Sequence, residues 1–421
     1  MIAIVGGGLT GLALGHHLKA RGVAHTILEA AERPGGVIRS RRVQGHLLEW
    51  GPQRARLTRG FQQLVDDLGL NDQLLLAPRD LPLFVYSRGK LRQVPFSPAQ
   101  FLRSSIFSWP GKFRLLLEPF TGAAKQGETV ADYFTRKVGR EAYEKLLGPL
   151  YGGLYASDPA DMIVGLSLGH VLREFGIQRS LILPLLRRGG SITPPPACSF
   201  REGLQTLPNA LHENNRENVR LASAVRAIRR HAGGYRLSLD SDHLDAHQVV
   251  LTVPARQAAQ LLEEVAPQPA ASVAQLHYNP LGVVHLHAQT GPTGLGYQVA
   301  FTEKLFTRGV TFNHSLFGRR GIYTAYLGGA KAPHVVDLPD LELGEIAELE
   351  FRRVTGHSAQ SISVDRERMP AWDVSWQALG GMQLPIGIHI AANWESRPGM
   401  PGRLAQATRL ADLLTTQANQ A

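Results

Sequence analysis

The chain has 421 residues, a formal net charge of +10, 43% hydrophobic and 19% charged content, and one cysteine, Cys198. These values exclude a disordered chain, a disulfide framework and a cysteine-built zinc site, and the length suits two or three domains in a reducing cytoplasm. The positive balance suits an anionic small molecule, an anionic membrane surface or nucleic acid, but no nucleic-acid motif is present, and solubility alone also explains it.

Ile2–Val5 is a short apolar run suited to a buried parallel strand. It leads into Gly6, Gly7, Gly8, Leu9, Thr10 and Gly11, a G-x-G-x-x-G. A helical pattern over 12–21 follows, stopped by Gly22, and then an apolar strand over 25–28 that ends on Glu29. Gly6 permits a tight turn, Gly8 lets the backbone approach a pyrophosphate, and Gly11 lets the helix pack closely on the strand. Free N–H groups and the positive dipole end at the helix start attract the phosphates. Glu29 stands where a carboxylate accepts both ribose hydroxyls of an adenosine, and it would repel a ribose phosphate. Among 44 glycines the motif alone is weak. In the order strand, glycines, helix, strand and acid it is strong, and it points to FAD or NAD rather than NADP. Its position is expected to leave no room for a signal or transit peptide, and no apolar run reaches the ~18–20 residues of a spanning helix.

Next come Arg33-Pro34-Gly35-Gly36-Val37, whose glycines would let the backbone pass under a second part of the same cofactor. Leu48-Glu49-Trp50-Gly51-Pro52-Gln53-Arg54 then reads as a strand end turning sharply. A nicotinamide dehydrogenase has no use for these two segments, whereas an elongated FAD does. On these residues the chain resembles the FAD-dependent protoporphyrinogen and coproporphyrinogen oxidases, within the amine oxidase and phytoene desaturase superfamily. There the glycine fingerprint is followed by an acid and R-x-G-G, here Glu29 and Arg33 to Gly36. The E-x-G-P turn, Glu49 to Pro52, is closer to the porphyrinogen branch.

Residues 61–70 read as a short amphipathic helix closed by Gly69, and 84–91 as a hairpin with Arg88-Gly89-Lys90 at its tip. From Pro98, Phe101-Leu102, Ile106-Phe107, Trp109 and Leu115 to Leu117 interleave with Arg103, Lys112 and Arg114. This basic amphipathic stretch either lies in a membrane interface or packs on itself. Residues 130–147 add helices, which Tyr151 to Pro159 interrupts; that segment resembles the G-[IV]-Y-A-x-D-P of the porphyrinogen oxidases. Residues 181–196 read as a linker, Ser199 to Pro208 as a helix start, and 219–228 as a strand. Residues 247–253 read as an apolar strand, and about 270–365 as an antiparallel sheet with strands at 281–287, 297–301 and 323–327. A last strand ends near Asn393, and Gly399-Met400-Pro401-Gly402 leads into a closing helix over 404–415. That helix N-terminus would stabilise the pyrimidine end of a reduced flavin. Ala392 and Arg397 to Pro401 depart from the family's usual sequence there.

The resemblance implies an α/β chain: a Rossmann-like FAD-binding domain (1–82, 197–268, 366–421), an α+β substrate domain with an antiparallel sheet (83–97, 269–365), and a helical, membrane-associated subdomain (98–196). FAD is expected on Gly6, Gly7, Gly8, Leu9, Thr10, Gly11, Glu29, Ala30, Arg33, Gly36, Val37, Gly51, Pro52, Gln53, Arg54, Asn393, Pro398, Gly399 and Met400. In relatives the strand valine, here Val225, offers backbone bonds to the adenine. The family's propionate-binding arginine falls at Ala99 here, so Arg92 and Arg103 are the nearest cations for substrate. No metal set and no catalytic residue emerges. The implied activity is oxidation of protoporphyrinogen IX or coproporphyrinogen III in haem biosynthesis, with dioxygen as acceptor. The implied setting is the cytoplasm or the inner face of the cell membrane, with contacts to haem-pathway enzymes. An amine oxidase or carotenoid desaturase, and a non-catalytic FAD-binding partner of a haem-pathway enzyme, are the alternatives.

Overall fold

The computed structural model describes residues 1–174, 176–183, 195–396 and 399–418. At its centre five short strands form a parallel sheet in the order Val219–Arg220, His25–Leu28, Ile2–Val5, Gln248–Leu251, Ile388–Ile390. The three central strands are almost wholly buried, which is why they read as apolar runs rather than alternating ones. Helix Leu9–Ala20 covers one face together with the closing helix Met400–Ala418. A three-stranded antiparallel sheet, Ala227–His231, Gly234–Ser238 and His243–Ala246, joins the core on the other face with helix Ala255–Leu262.

A second sheet has seven strands in the order Gln360–Pro370, Tyr278–His287, Ile322–Gly328, Thr307–Thr311, Gly296–Val299, Leu83–Ser87, Lys90–Gln93. It is mixed rather than purely antiparallel, because Gly296–Val299 runs parallel to Leu83–Ser87. Helix Asp340–Thr355 packs on one face of it. The alternating reading of 270–365 missed that helix, although its signals are present: Asp340 and Glu342 in the first turn, and Gly356 at φ 78° past its end.

Other boundaries shift for identifiable reasons. The first helix begins at Leu9, one residue after Gly8, so the glycine motif contributes its first turn. In the 84–91 hairpin, Ser87 pairs with Lys90, leaving Arg88 (φ 53°) and Gly89 (φ 66°) as a two-residue turn with both residues left-handed. The expected strand over 219–228 splits. After Arg220 the chain turns over the end of the second strand, where Ala222 and Ser223 donate to the Ala31 and Glu29 carbonyls at 2.9 and 2.8 Å. Ser199 and Phe200 close a strand, Ala197–Phe200, and the helix starts only at Thr206. The linker expected over 181–196 falls largely outside the described residues.

Helices Pro98–Arg103, Trp109–Leu116 and Val130–Val138 form the helical region. Instead of interrupting them, Tyr151 to Tyr155 lies within a further helix, Gly148–Tyr155, ended by Ala156 in the left-handed conformation (φ 51°).

Candidate functional site

The glycine loop follows the first strand and is held by Thr252, whose hydroxyl donates to the Val5 and Gly6 carbonyls at 3.0 and 2.9 Å. A Cβ on Gly6 would fall 2.6 Å from that hydroxyl, and one on Gly11 only 2.0 Å from the Gly6 carbonyl oxygen. Both glycines are therefore required by the protein itself. Gly8 differs, since a Cβ there meets nothing within 4 Å. The loop thus presents an open backbone edge directly before a helix whose first turn carries no acidic side chain, as a phosphate site requires. Leu9 and Thr10 are buried beneath it.

Glu29 ends the second strand half-buried, its two carboxylate oxygens accepting from Gly7 N at 2.6 Å and Ala31 N at 2.8 Å. These two bonds fix the carboxylate, while Ala30 is exposed. Gly35 N donates to the Gly7 carbonyl at 2.8 Å, bringing the second glycine pair beside the first. Arg33 acts as a clamp here, donating to the carbonyls of Gly36 (2.9 Å) and Ile38 (3.3 Å). Val37 is 55% exposed, an apolar side chain left uncovered in the middle of the cradle. Its carbonyl closes on Gly51 (φ 97°), where a Cβ would come within 2.3 Å, and Pro52 lies half-buried beside it.

Beneath this turn, Glu49 is fully enclosed and accepts from Ser40 Oγ (2.5 Å), Leu204 N (2.9 Å) and Arg319 Nη2 (3.0 Å). Burial pushes its carboxyl upward, and the Arg319 guanidinium opposes that. Gln53 donates to the Glu49 carbonyl at 2.8 Å, and its Oε1 accepts from Asn313 Nδ2 (2.9 Å), at the start of the short helix Asn313–Phe317, and from Thr324 Oγ1 (3.0 Å) of the seven-stranded sheet. Arg54, next in the chain, lies beside Tyr326. Arg319, Asn313, Thr324 and Tyr326 had no sequence signal, because roughly 270 residues separate them from the turn they meet.

At the far end Asn393 is half-buried, Gly399 has φ 89°, and Met400 begins the closing helix with its side chain in the core. Only the backbone of Met400 is thus available to a ligand, and Pro398 lies outside the described residues. Val225 is partly buried against the core beside the three-stranded sheet. Gly6 to Gly8, Glu29, Arg33 to Val37 and Gly51 are therefore brought side by side. Their open glycine edge, fixed carboxylate and uncovered apolar centre fit an elongated dinucleotide. Among the described residues no cluster of His, Cys, Asp or Glu could hold a metal.

The Tyr151 to Asp158 segment fits against the sheet face opposite helix Asp340–Thr355. A Cβ on Gly153 would reach 2.5 Å from Gln298 Oε1, and one on Gly152 would reach 2.8 Å from the Phe301 ring. The Ala156 carbonyl accepts from Ala330 N at 2.8 Å, the Ser157 hydroxyl donates to the Ala371 carbonyl at 2.6 Å, and Asp158 pairs with Lys331. The segment is a joint between the helical region and the seven-stranded sheet. Arg92 shares a face with Val85 on the sheet edge, and its guanidinium is engaged by the Ser87 and Lys90 carbonyls. Arg103 is exposed at the end of its helix. The structure does not bring these two together with the cradle.

Residues 9–383 match the family of flavin-containing amine oxidoreductases. The chloroplastic protoporphyrinogen oxidase of Nicotiana tabacum is 27% identical over 395 residues, 83% of this chain and 71% of that one. The coproporphyrinogen III oxidase of Bacillus subtilis (strain 168) is 26% identical over 390 residues, 84% of this chain and 82% of that one. Cyclohexylamine oxidase from Brevibacterium oxydans IH-35A superimposes with a TM-score of 0.77 over 99% of both chains at 14% identity, which shows a shared fold. With its cradle and its match over most of its length, the chain belongs to the flavin-containing amine oxidoreductase family and is an FAD-dependent oxidoreductase.

Proposed function

We propose that this enzyme oxidises a porphyrinogen, protoporphyrinogen IX or coproporphyrinogen III, with dioxygen as final acceptor. The observation that carries the reading is its likeness to oxidases of both substrates over more than four-fifths of the chain. FAD, when bound, supplies the hydride acceptor. The chain's own part is to orient the macrocycle and exclude water, which needs no strong base. The buried histidine near the turn agrees, since burial lowers the His285 pKa to about 4 and the neutral ring donates from Nε2 to the Glu49 carbonyl at 2.9 Å. The test is anaerobic mixing of holoenzyme with each porphyrinogen while flavin absorbance is followed. Bleaching with at least one is expected; a flavin that stays oxidised with both would sink the reading.

We also propose that the helical region rests on a membrane surface. Phe96, Leu102, Trp109, Phe113, Leu116, Leu117 and Phe120 are all exposed within 25 residues of chain, Phe120 at 84%. Soluble monomers rarely leave so dense an apolar patch uncovered. Arg103 is exposed beside the patch and can meet anionic headgroups, while Lys112 lies over the Trp109 ring at 4.6 Å and donates to the Leu102 carbonyl at 2.7 Å. No described helix is long and apolar enough to cross a bilayer. Binding to anionic vesicles should weaken as salt rises. Phe113→Asp should weaken it by about tenfold or more, since burying a phenylalanine contributes about 1.5–3 kcal/mol. Wild-type protein that fails to co-sediment with vesicles at low salt would remove the proposal.

A further inference from the structure

Glu49 is 1% exposed, and three separate parts of the chain supply the donors to its carboxylate. Ser40 faces it across the hairpin, and Leu204 offers the amide that follows Gly203. A Cβ on Gly203 (φ 93°) would come within 2.3 Å of Ser40 Oγ and 3.0 Å of Glu49 Oε1, so only a glycine lets the backbone lie against the pair. The third donor comes from far along the chain. Arg319 lies between helix Asn313–Phe317 and strand Ile322–Gly328, in a turn shaped by Gly318 (φ 66°) and Gly321 (φ 73°). A Cβ on Gly321 would fall 2.7 Å from the Ala288 carbonyl oxygen, so the turn rests directly on the neighbouring strand end. From it Arg319 Nη2 donates to Glu49 Oε1 and to Ser199 Oγ, each at 3.0 Å, and Arg319 is 9% exposed. Among the described residues no acceptor reaches its Nη1, so the pairing with Glu49 is what offsets the desolvation of this cation.

The position of Glu49 bears on the cradle. Glu49 precedes Trp50 and Gly51, and the Cβ position of Gly51 is 2.3 Å from the Val37 carbonyl oxygen, which leaves no slack between the two segments. Gly36, next to Val37, has its Cβ position 3.4 Å from Gly8 Cα, and Gly35 N donates to the Gly7 carbonyl. A displacement of Glu49 is therefore passed from Gly51 through Val37 and Gly36 to the open edge of the glycine loop. Two neutral bonds hold the Glu49 backbone, from His285 Nε2 at 2.9 Å and Gln53 Nε2 at 2.8 Å. A second charged link, Arg39 to Asp365 and Glu367, holds the opposite strand of the hairpin, but its groups are partly exposed and so contribute less. The buried pair is the charged tie on the turn itself.

We propose that Arg319 is a positioning residue for the cofactor: acting through Glu49, it sets the Gly51 turn against Val37. The seven-stranded sheet thus takes part in FAD binding through a residue that lies outside the cradle. The proposal needs FAD alone and does not rest on the porphyrinogen reading.

The experiment starts from FAD-loaded protein and reads the FAD dissociation constant from flavin fluorescence on dilution. The temperature is one at which far-ultraviolet circular dichroism shows each variant folded. Arg319→Met should weaken FAD binding at least about tenfold, the scale of a hydrogen bond to a charged group. The visible circular dichroism of the flavin that remains bound should also change, because the glycines against it have moved. Arg319→Lys should recover part of the affinity, since an ammonium keeps the charge but loses the planar fork. Should Arg319→Met fail to fold, Glu49→Gln/Arg319→Met replaces it; this variant buries no charge and should show the same weakening. A pair that serves stability alone would lower the unfolding midpoint and leave the constant and the flavin dichroism of the folded protein as in wild type. That result, in whichever of the two variants folds, overturns the proposal.

Discussion

Replacing Glu118 by alanine should lower the unfolding free energy by about 3–5 kcal/mol, the usual cost of leaving a buried charge without its partner. Glu118 and Lys137 are both wholly buried, 2.6 Å apart, where the short helical segments of the 98–183 region converge. Lys137 also donates to the Gly122 and Arg179 carbonyls at 3.1 and 2.5 Å, so its position is over-determined. The Glu118 carboxylate accepts from Ser180 Oγ at 2.5 Å and Leu181 N at 2.9 Å, joining residues more than 60 positions apart. Truncation strands the ammonium and removes the acceptor of the Ser180 hydroxyl and the Leu181 amide. The double variant Glu118→Met/Lys137→Met should recover most of the loss, because an apolar pair of similar size replaces both charges. Urea denaturation of the FAD-loaded protein measures this, and a loss below about 1 kcal/mol for Glu118→Ala would mean that water already reaches the site. The pH dependence follows. Burial works against ionisation, but Lys137, the Ser180 hydroxyl and the Leu181 amide outweigh it and hold the Glu118 pKa below its ordinary value. The contribution is therefore complete above about pH 4.3 and lost as pH falls through the lower native value.

Nothing in the sequence announced that pair. Glu118 and Lys137 read as charges among charges, and burial of a charge is decided by what surrounds it in space. The cradle was legible for the opposite reason. Its parts are local: a strand, a turn too tight for side chains, a helix and an acid within the first 29 residues, each required by backbone geometry at that place. Even there the structure adds something, since Arg33 clamps carbonyls of its own loop and the Glu29 carboxylate is held by the Gly7 and Ala31 amides. The seven-stranded sheet was partly legible. Its central strands carried alternation, but helix Asp340–Thr355 was lost in a region read by one period. The parallel pairing of Gly296–Val299 with Leu83–Ser87 joins strands more than 200 residues apart, and no local pattern records it.

The same contrast explains the substrate cations. Arg92 and Arg103 lie near in sequence to the place where relatives keep an arginine, but one is engaged by carbonyls on a sheet edge and the other faces out.

The largest effect on the cofactor should come from two substitutions in the glycine loop, and they should fail in different ways. In Gly11→Ala the new methyl group would lie 2.0 Å from the Gly6 carbonyl oxygen and 3.0 Å from Thr252 Oγ1. Strand and helix must separate, which costs the protein about 1–3 kcal/mol or more of stability, whether or not FAD is present. In Gly8→Ala the methyl group meets no protein atom within 4 Å, and φ −72° with ψ 178° is ordinary extended backbone for alanine. The apoprotein should therefore unfold at an unchanged temperature. FAD should nonetheless be lost, because that open edge is where the pyrophosphate has to approach the backbone. A displacement costing about 3 kcal/mol corresponds to a weakening of more than a hundredfold. Calorimetry of both apoproteins and flavin fluorescence titration of both variants separate the cases. An unchanged FAD dissociation constant in Gly8→Ala would place the pyrophosphate elsewhere. A destabilised Gly8→Ala apoprotein would mean that the loop is closed by its own chain and offers no edge to a phosphate.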